Sequence, residues 1–499
     1  MATSFKPFIG GYTRSQSFLA NLGTLQNAYP QPLSPGSKNF GALYPTPGML
    51  RFGAVAQVGG KGMFSTASDA SRVFGVTGMK LYEWFADGSA IERGTVAIDG
   101  NPATLYQNGK GGQQLLVTAG TNTYCYDLLT NTLTQVVFLN GKSTQCGFIG
   151  GYFLVFDIAT GTVYQSDLYD GLTFDPANFF QRNTQADDWA GMFVTALGRI
   201  CLLGTKTRDN YENIGTFPIP FAPADAGIQP EGIAATFSVS EVGPFVCWLG
   251  TAGQSGGYKV YAAAGYRAQE ISTEAICFAL SQATQAEIRN AQGQTYSDQG
   301  HDFYLLSVGA FTWCHDFSSG EWHTRRTFAN ATTGDLSSWR ARWHCFGFNK
   351  HLWQDYQTGV AYESDISFAT DVDDLLIQRE RTPPSIRMGS TVLDVGTIEL
   401  IMQVGVGNQV DPGANPIVWL ELSGDGGMTW GAARQAAVGQ IGQGMIRVWW
   451  EGNGIANCRD FAMRFTMSDP INNYRLIDLL VDLFDERGRP IDLSRQQAA

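Results

Sequence analysis

The stretch "QQLLVTAGTNTYCYDLLTNT", Gln113 to Thr132, decides the fold. An apolar run ends at Gly120, an aromatic run follows, and Asp127 opens a polar turn. Glycine allows the tight reversal, and an aspartate before a turn can accept hydrogen bonds from the backbone amides that follow it. The pattern therefore predicts two adjacent strands with a structured exit.

The same unit recurs along the chain. Strand-like apolar runs are "SRVFGVTG", "QQLLVTAG", "GYFLVFD", "RICLLGT", "PFVCWLG", "DFYLLSVG" and "RWHCFGF". Most are followed by an aromatic strand. Four of those share the form aromatic-x-x-Asp: Tyr124–Asp127, Tyr164–Asp167, Trp313–Asp316 and Tyr362–Asp365. Looser equivalents surround Tyr82, Tyr211 and Tyr258. The step is roughly 40 to 55 residues, the length of a four-stranded propeller blade. One twisted sheet cannot bury both of its faces, but a ring of sheets can. The expected fold is all-β: a β-propeller of six or seven blades over residues 56–384, with Asp127, Asp167, Asp316 and Asp365 as turn formers. One helix is expected between blades, over Ser272–Gln292, where Ile276, Leu280, Ala283 and Ile288 form a stripe behind a Ser/Thr cap.

Outside the repeats the pattern changes. Residues 1–55 are rich in Gly, Pro and Ser and too poor in apolar residues to form a core alone. Pro383-Pro384 marks an exit from the propeller. Residues 385–490 read as a β-sandwich platform, with period-two alternation in "IVWLELS". Residues 1–55 are expected to pack with that platform, and residues 491–499 to form a loose tail.

Composition excludes several classes. Only 16% of residues are charged, Gly reaches 59 and the formal charge is −12. Tight duplex binders carry clustered basic residues, which this chain lacks. No apolar run approaches a membrane span, and "MATSFKPFIGGYTRSQ" has no apolar secretion core. The eight cysteines form no C-x-x-C pair and are expected as buried free thiols. The five histidines, His301, His315, His323, His344 and His351, show no metal-ligand spacing and are expected as core or surface residues. "GQSGG", Gly253–Gly257, has the G-x-S-x-G form, but a strand-like run follows it, so a hairpin turn around Ser255 is expected rather than a nucleophile elbow.

"ELSGDGGMTWG", Glu421–Gly431, contains an Asp-box: Ser423, Asp425, Gly427, Thr429 and Trp430. Sialidases repeat this hairpin between blades, and they add an arginine cluster, a Tyr–Glu pair and an acid. Here the box occurs once, after the repeats, and no spacing identifies an arginine triad. It reads as a structural turn. A propeller glycosidase or glycan-binding protein is the alternative, and the residues at the propeller axis discriminate. No catalytic set, metal or cofactor is assigned.

From Ile271 to Pro384 the blocks "ISTEAI", "YSDQGHDFYLL", "TWCHDFSSGEWHTRR", "SWRARWHCFGFNKHLWQDYQTGVAYESD" and "RERTPP" follow in order. Together with "NAYPQP…YPTPGM" and the C-terminal "PIVWLELSGDGGMTWG…MIRVWWEGNGIANCRDFAMRFTMSDP", they resemble the packaged-DNA stabilisation proteins of short-tailed bacteriophages, their tail hub or nozzle subunits. Gln354 departs from the Gly usual before the turn aspartate. Residues from about 185 to 240 match no block. The resemblance implies a non-enzymatic virion tail component, made in the host cytoplasm and assembled as a homo-hexameric ring below the portal and its head-to-tail adaptor. Implied partners are a tail spike or fibre and a needle or plug. Genomic double-stranded DNA is retained and then passed without sequence readout. The channel and gate residues are not assigned by it.

Overall fold

Each repeat folds as four antiparallel strands. The computed structural model describes residues 3–493 except 18, 67–71, 183–184, 226, 252–255, 453 and 456. Blade one holds Gly60–Ser65, Val73–Thr77, Lys80–Trp84 and Ala90–Thr95. Blade two spans Thr104–Gln107, Gln114–Ala119, Asn122–Asp127 and Thr132–Gln135. Blades three, four and five occupy residues 145–181, 189–223 and 240–270. Blade six runs from Gln292–Asp298 to Trp322–Asn330. The count is seven. Blade seven has Ala341–Gly347, Lys350–Asp355 and Val360–Asp365, and takes its outer strand, Gly48–Ala54, from the other end of the chain.

The apolar runs are continuous because both faces of each blade are covered. Alternate residues of one strand serve different neighbours. Leu115 and Val117 pack toward blade one, while Leu116 packs toward blade three. Phe153 and Val155 face blade two, and Leu154 and Phe156 face blade four. Val73 and Trp84 of blade one meet Leu352 and Ala361 of blade seven, which closes the ring. This is strand period two applied to two cores at once.

The single helix expected over Ser272–Gln292 is split. Glu274–Ser281 is capped by Thr273, and Gln285–Arg289 starts anew at Thr284. Thr284 and Glu287 form a reciprocal capping box, which ends one helix and begins the next. A further helical turn lies at Gly109–Gly112.

The platform is two sheets around one core. In the first, Ala28–Pro32 and Gly41–Pro45 join Leu476–Asp485, Leu393–Met402 and Val448–Trp450. In the second, Thr24–Gln26, Arg379–Thr382, Ala462–Met467, Ile417–Ser423 and Arg434–Ala437 follow one another. Thr24–Gln26 also runs parallel to Trp322–Asn330, so blade six and the platform form one ten-stranded sheet. Phe5, Phe8, Leu25 and Leu43 enter the platform core beside Phe461 and Leu479.

Three expected boundaries move. Gly48–Ala54 belongs to the propeller, because it completes blade seven. Arg379–Thr382 belongs to the platform, because it pairs with Thr24–Gln26 and Ala462–Met467. Residues 491–493, expected in the tail, are placed: Pro490–Ile491 pairs with Leu483 and Phe484, and Leu493 is buried. Residues 494–499 lie outside the described residues.

Candidate functional sites at the axis and the domain joint

The first strand of each blade stands nearest the axis, where a propeller enzyme keeps its chemistry. The axial cavity has about 110 Å³ of space. Its walls include Thr104, Tyr106, Gln145, Cys146, Gln294 and Trp343, and no lining residue is an arginine, a lysine or a carboxylate. The amides there are occupied in joining blades. Met192 N–H donates to Gln145 Oε1 at 2.8 Å, and Gln145 Nε2 donates to Thr236 O at 3.1 Å. His344 N–H donates to Gln294 Oε1 at 3.2 Å. Gln354 spans blades seven and one, accepting from Gly62 N–H and donating to Thr77 Oγ1, each at 3.2 Å. The residue that departs from the family turn is therefore a ring-closing bridge. Gln145 and Gln294 carry no signal in the sequence beyond a polar residue within a strand, and Gln354 shows there only as a departure from the family turn.

The joint between propeller and platform is chemically the opposite. Arg379 and Arg381 lie on the same face of their strand and are both 1% exposed. Arg381 is held by carbonyls of the N-terminal segment. Its Nε donates to Phe8 O and its Nη2 to Pro7 O, both at 2.8 Å; its Nη1 donates to Gly11 O and Thr24 O, both at 3.1 Å. Burial pulls its pKa down to about 9 and that of Arg379, packed over Tyr474, to about 10. Asn27 ties three segments. Its Nδ2 donates to Arg326 O and Gln378 O, and its Oδ1 accepts from Arg326 N–H. "RERT" reads from sequence as an exit only; in the structure it is a clamp.

The histidines line blades six and seven beside this joint. His301 Nδ1 lies 2.8 Å from Asp316 Oδ2, and its Nε2 lies 2.7 Å from Gln31 Oε1 of the N-terminal segment. His344 Nε2 meets His351 Nδ1 at 3.0 Å. Burial lowers the pKa of His315 to about 4 and of His344 to about 3, and holds His323 well below its usual value. Among the described residues no group of three His, Cys, Asp or Glu side chains is placed to hold a metal ion. All eight cysteines are free, seven buried and Cys277 half-buried.

The Asp-box closes a hairpin of the platform. Ser423 Oγ donates to Asp425 Oδ1 at 2.6 Å and accepts from Gly427 N–H at 2.8 Å. Thr429 donates to Asp425 through both N–H, at 3.0 Å, and Oγ1, at 2.6 Å. These bonds from Ser423 and Thr429 lower the Asp425 pKa to about 2. Gly426 and Gly427 have φ of 73° and 93°, and a side chain there would strike Leu19 and Leu22 of the N-terminal segment. Trp430 stacks on Arg464, with the guanidinium 4.4 Å from the ring centroid. The Ser423 and Thr429 hydroxyls and the Asp425 carboxylate are thus engaged in the turn.

The aromatic-x-x-Asp repeats mark the ends of third strands. Asp127, Asp316 and Asp365 each accept a backbone amide two residues on, at 2.8, 2.9 and 2.8 Å. Asp167 departs from this role. It forms an isolated bridge with Asp170, and Asp170 accepts from Leu172 N–H and Thr173 Oγ1 instead. The physical reason is the wider loop after that strand, which moves the turn three residues onward.

A Tyr–Glu pair does exist, away from the axis. Tyr266 donates to Glu212 at the seam of blades four and five, with Arg199 over the Tyr266 ring and Arg208 donating to Tyr266 O. The cavity beside it holds about 10 Å³, which leaves no room for a sugar. Gly253–Ser255 of "GQSGG" lies outside the described residues. No helix among the described residues is long and apolar enough to cross a membrane.

Two family models match the chain, and the first also takes in the N-terminal strands that the fold gives to the platform. Residues 7–368 match the family model described as bacteriophage P22 Gp10, β-propeller. Residues 379–477 match that described as bacteriophage P22 Gp10, β-sandwich. No curated protein matches. Among solved structures, the extracellular domain of a one-component system from B. thetaiotaomicron is similar at 8% identity and a TM-score of 0.43, over 74% of this chain. This chain spans 45% of that protein's length. Virginiamycin B lyase from Staphylococcus aureus is similar at 8% identity and a TM-score of 0.44, over 64% of this chain and 99% of that one.

Proposed function

The chain belongs to the bacteriophage P22 Gp10 family of structural, DNA-stabilising phage proteins, and on that premise we propose that it is the hub or nozzle subunit of a short tail. Six copies form a ring below the portal and its adaptor. The ring closes the channel after packaging and conducts the genome at ejection. Its outer surfaces take a tail spike or fibre, and its distal end takes a needle or plug.

The observation that carries this reading is the axis. A cavity of about 110 Å³ walled by uncharged side chains offers neither a catalytic set nor a passage. The major groove of a duplex alone is about 12 Å wide. DNA therefore passes between copies, and the propellers serve as walls. The formal charge of −12 supports a wall that repels phosphate rather than holding it.

Particles assembled without this chain test the reading. Heads are expected to fill and then to lose their genome, so that the DNA becomes nuclease-sensitive. Particles that lack the chain and still protect their full genome would overturn it.

A further inference from the structure

The stretch from about 185 to 240 that matches no sequence block folds as blade four. A hairpin joins its third and fourth strands, Arg208–Asn213 and Phe221–Pro223, and its tip stands in solvent. Ile214 is 58% exposed and Phe217 97% exposed. Pro218, Pro220 and Pro223 stiffen the segment, so docking it costs little conformational entropy. A Phe left in water forgoes the burial that a pocket would recover.

A matching groove of about 460 Å³ opens on blade six. Its walls are residues 12–16, the two helices between blades five and six, and the turn Val308–Phe311. Its floor is aromatic. Tyr12 meets Trp313 edge-on at 4.9 Å, and Phe311 stacks on Trp313 at 5.3 Å. Aromatic-lined grooves suit apolar, proline-rich segments.

Charge agrees. Glu287 in the groove is committed to the cap of Thr284, while Arg14 is exposed and makes no ion pair among the described residues. Residues 211–225 carry Glu212 and Asp225 and no Lys or Arg. Glu212 accepts from Tyr266, which leaves the exposed Asp225 for Arg14.

Geometry identifies the occupant. In an antiparallel blade, the turns one-to-two and three-to-four lie on one face of the propeller. The turn two-to-three and the link to the next blade lie on the other. The Phe217 hairpin is a three-to-four turn. The groove is built from a blade-to-blade link and a two-to-three turn. Knob and groove therefore sit on opposite faces, and a chain cannot fill its own groove. Such a contact joins identical copies head to tail, and it closes into a ring when the rotation allows.

We infer that the Phe217 hairpin of one copy seats in the Tyr12–Phe311 groove of the next. The inference rests on the ring reading above. In the full-length chain, Phe217 is replaced by the photoreactive p-benzoylphenylalanine and the assembled particles are irradiated. Cross-links are expected in residues 12–16, 274–289 or 308–313 of a second copy. Phe217→Asp is expected to leave the melting temperature unchanged and to weaken association between copies about tenfold or more by sedimentation. Cross-links mapped to other segments, or undiminished association of F217D, would overturn this contact and leave the ring standing. Absence of any ring from the particles would overturn both.

Discussion

The axis and the joint are built from opposite materials. The axis is neutral, with Gln145 and Gln294 spent on bridging neighbouring blades, as Gln354 is where blades seven and one close the ring. The joint gathers buried cations and imidazoles: Arg379 and Arg381 at its centre, His301, His315 and His344 in the blades beside it. In a propeller enzyme this arrangement would be reversed. The difference teaches that the polar chemistry of this chain is spent on holding two domains and a wrapped N-terminus in one fixed relation. That is what a load-carrying wall requires.

The comparison breaks most clearly at Arg381. Arg381→Ala leaves four buried carbonyls without their donor and is expected to cost about 3–5 kcal/mol of unfolding free energy, measured by urea titration. Arg381→Lys is expected to recover little, because an ammonium cannot reach the four acceptors that a planar guanidinium spans. A loss under about 1 kcal/mol would mean that the joint does not depend on the clamp.

Acid probes the imidazoles of the same region. The folded-state pKa values of His315 and His344 are depressed, to about 4 and about 3. The unfolded chain takes up these protons from about pH 6.5 downward, whereas the folded chain does not. Their contribution is therefore fully present above about pH 6.5 and falls as the pH drops toward 4, by on the order of 3 kcal/mol for each histidine. Urea midpoints measured between pH 7 and pH 4 check this. His315→Gln and His344→Gln are expected to flatten the fall, and a wild-type stability that stays level over this range would contradict the assignment.

The ring closure should respond more gently. Gln354→Ala removes one bridge and leaves Gly62 N–H and Thr77 Oγ1 without that partner, for about 1–2 kcal/mol. Its thermal unfolding should remain one transition at a lower midpoint. A larger loss than at Arg381 would reverse the comparison.

Much of the propeller was legible because its signal is local. Apolar strands covered on both faces read as continuous runs, and third strands end on Asp127, Asp316 and Asp365 within a few residues of the amides they bind. What the sequence hid is non-local. Gly48–Ala54 looks like loop until it pairs with Val360–Asp365, and Arg381 looks like a linker residue until Pro7, Phe8 and Gly11 fold back to it. Asp167 fits the repeat, yet loop length passes its role to Asp170. The Asp-box was legible as a turn, but its packing against Leu19 and Leu22 was not, since some 400 residues separate them.

The most direct measurement is an electron-microscopy reconstruction of the tail in purified particles. Copies of this chain are expected in a ring, with the DNA path between copies and every propeller axis closed. Absence of the chain from the tail, or a duplex threaded through a propeller axis, would contradict it.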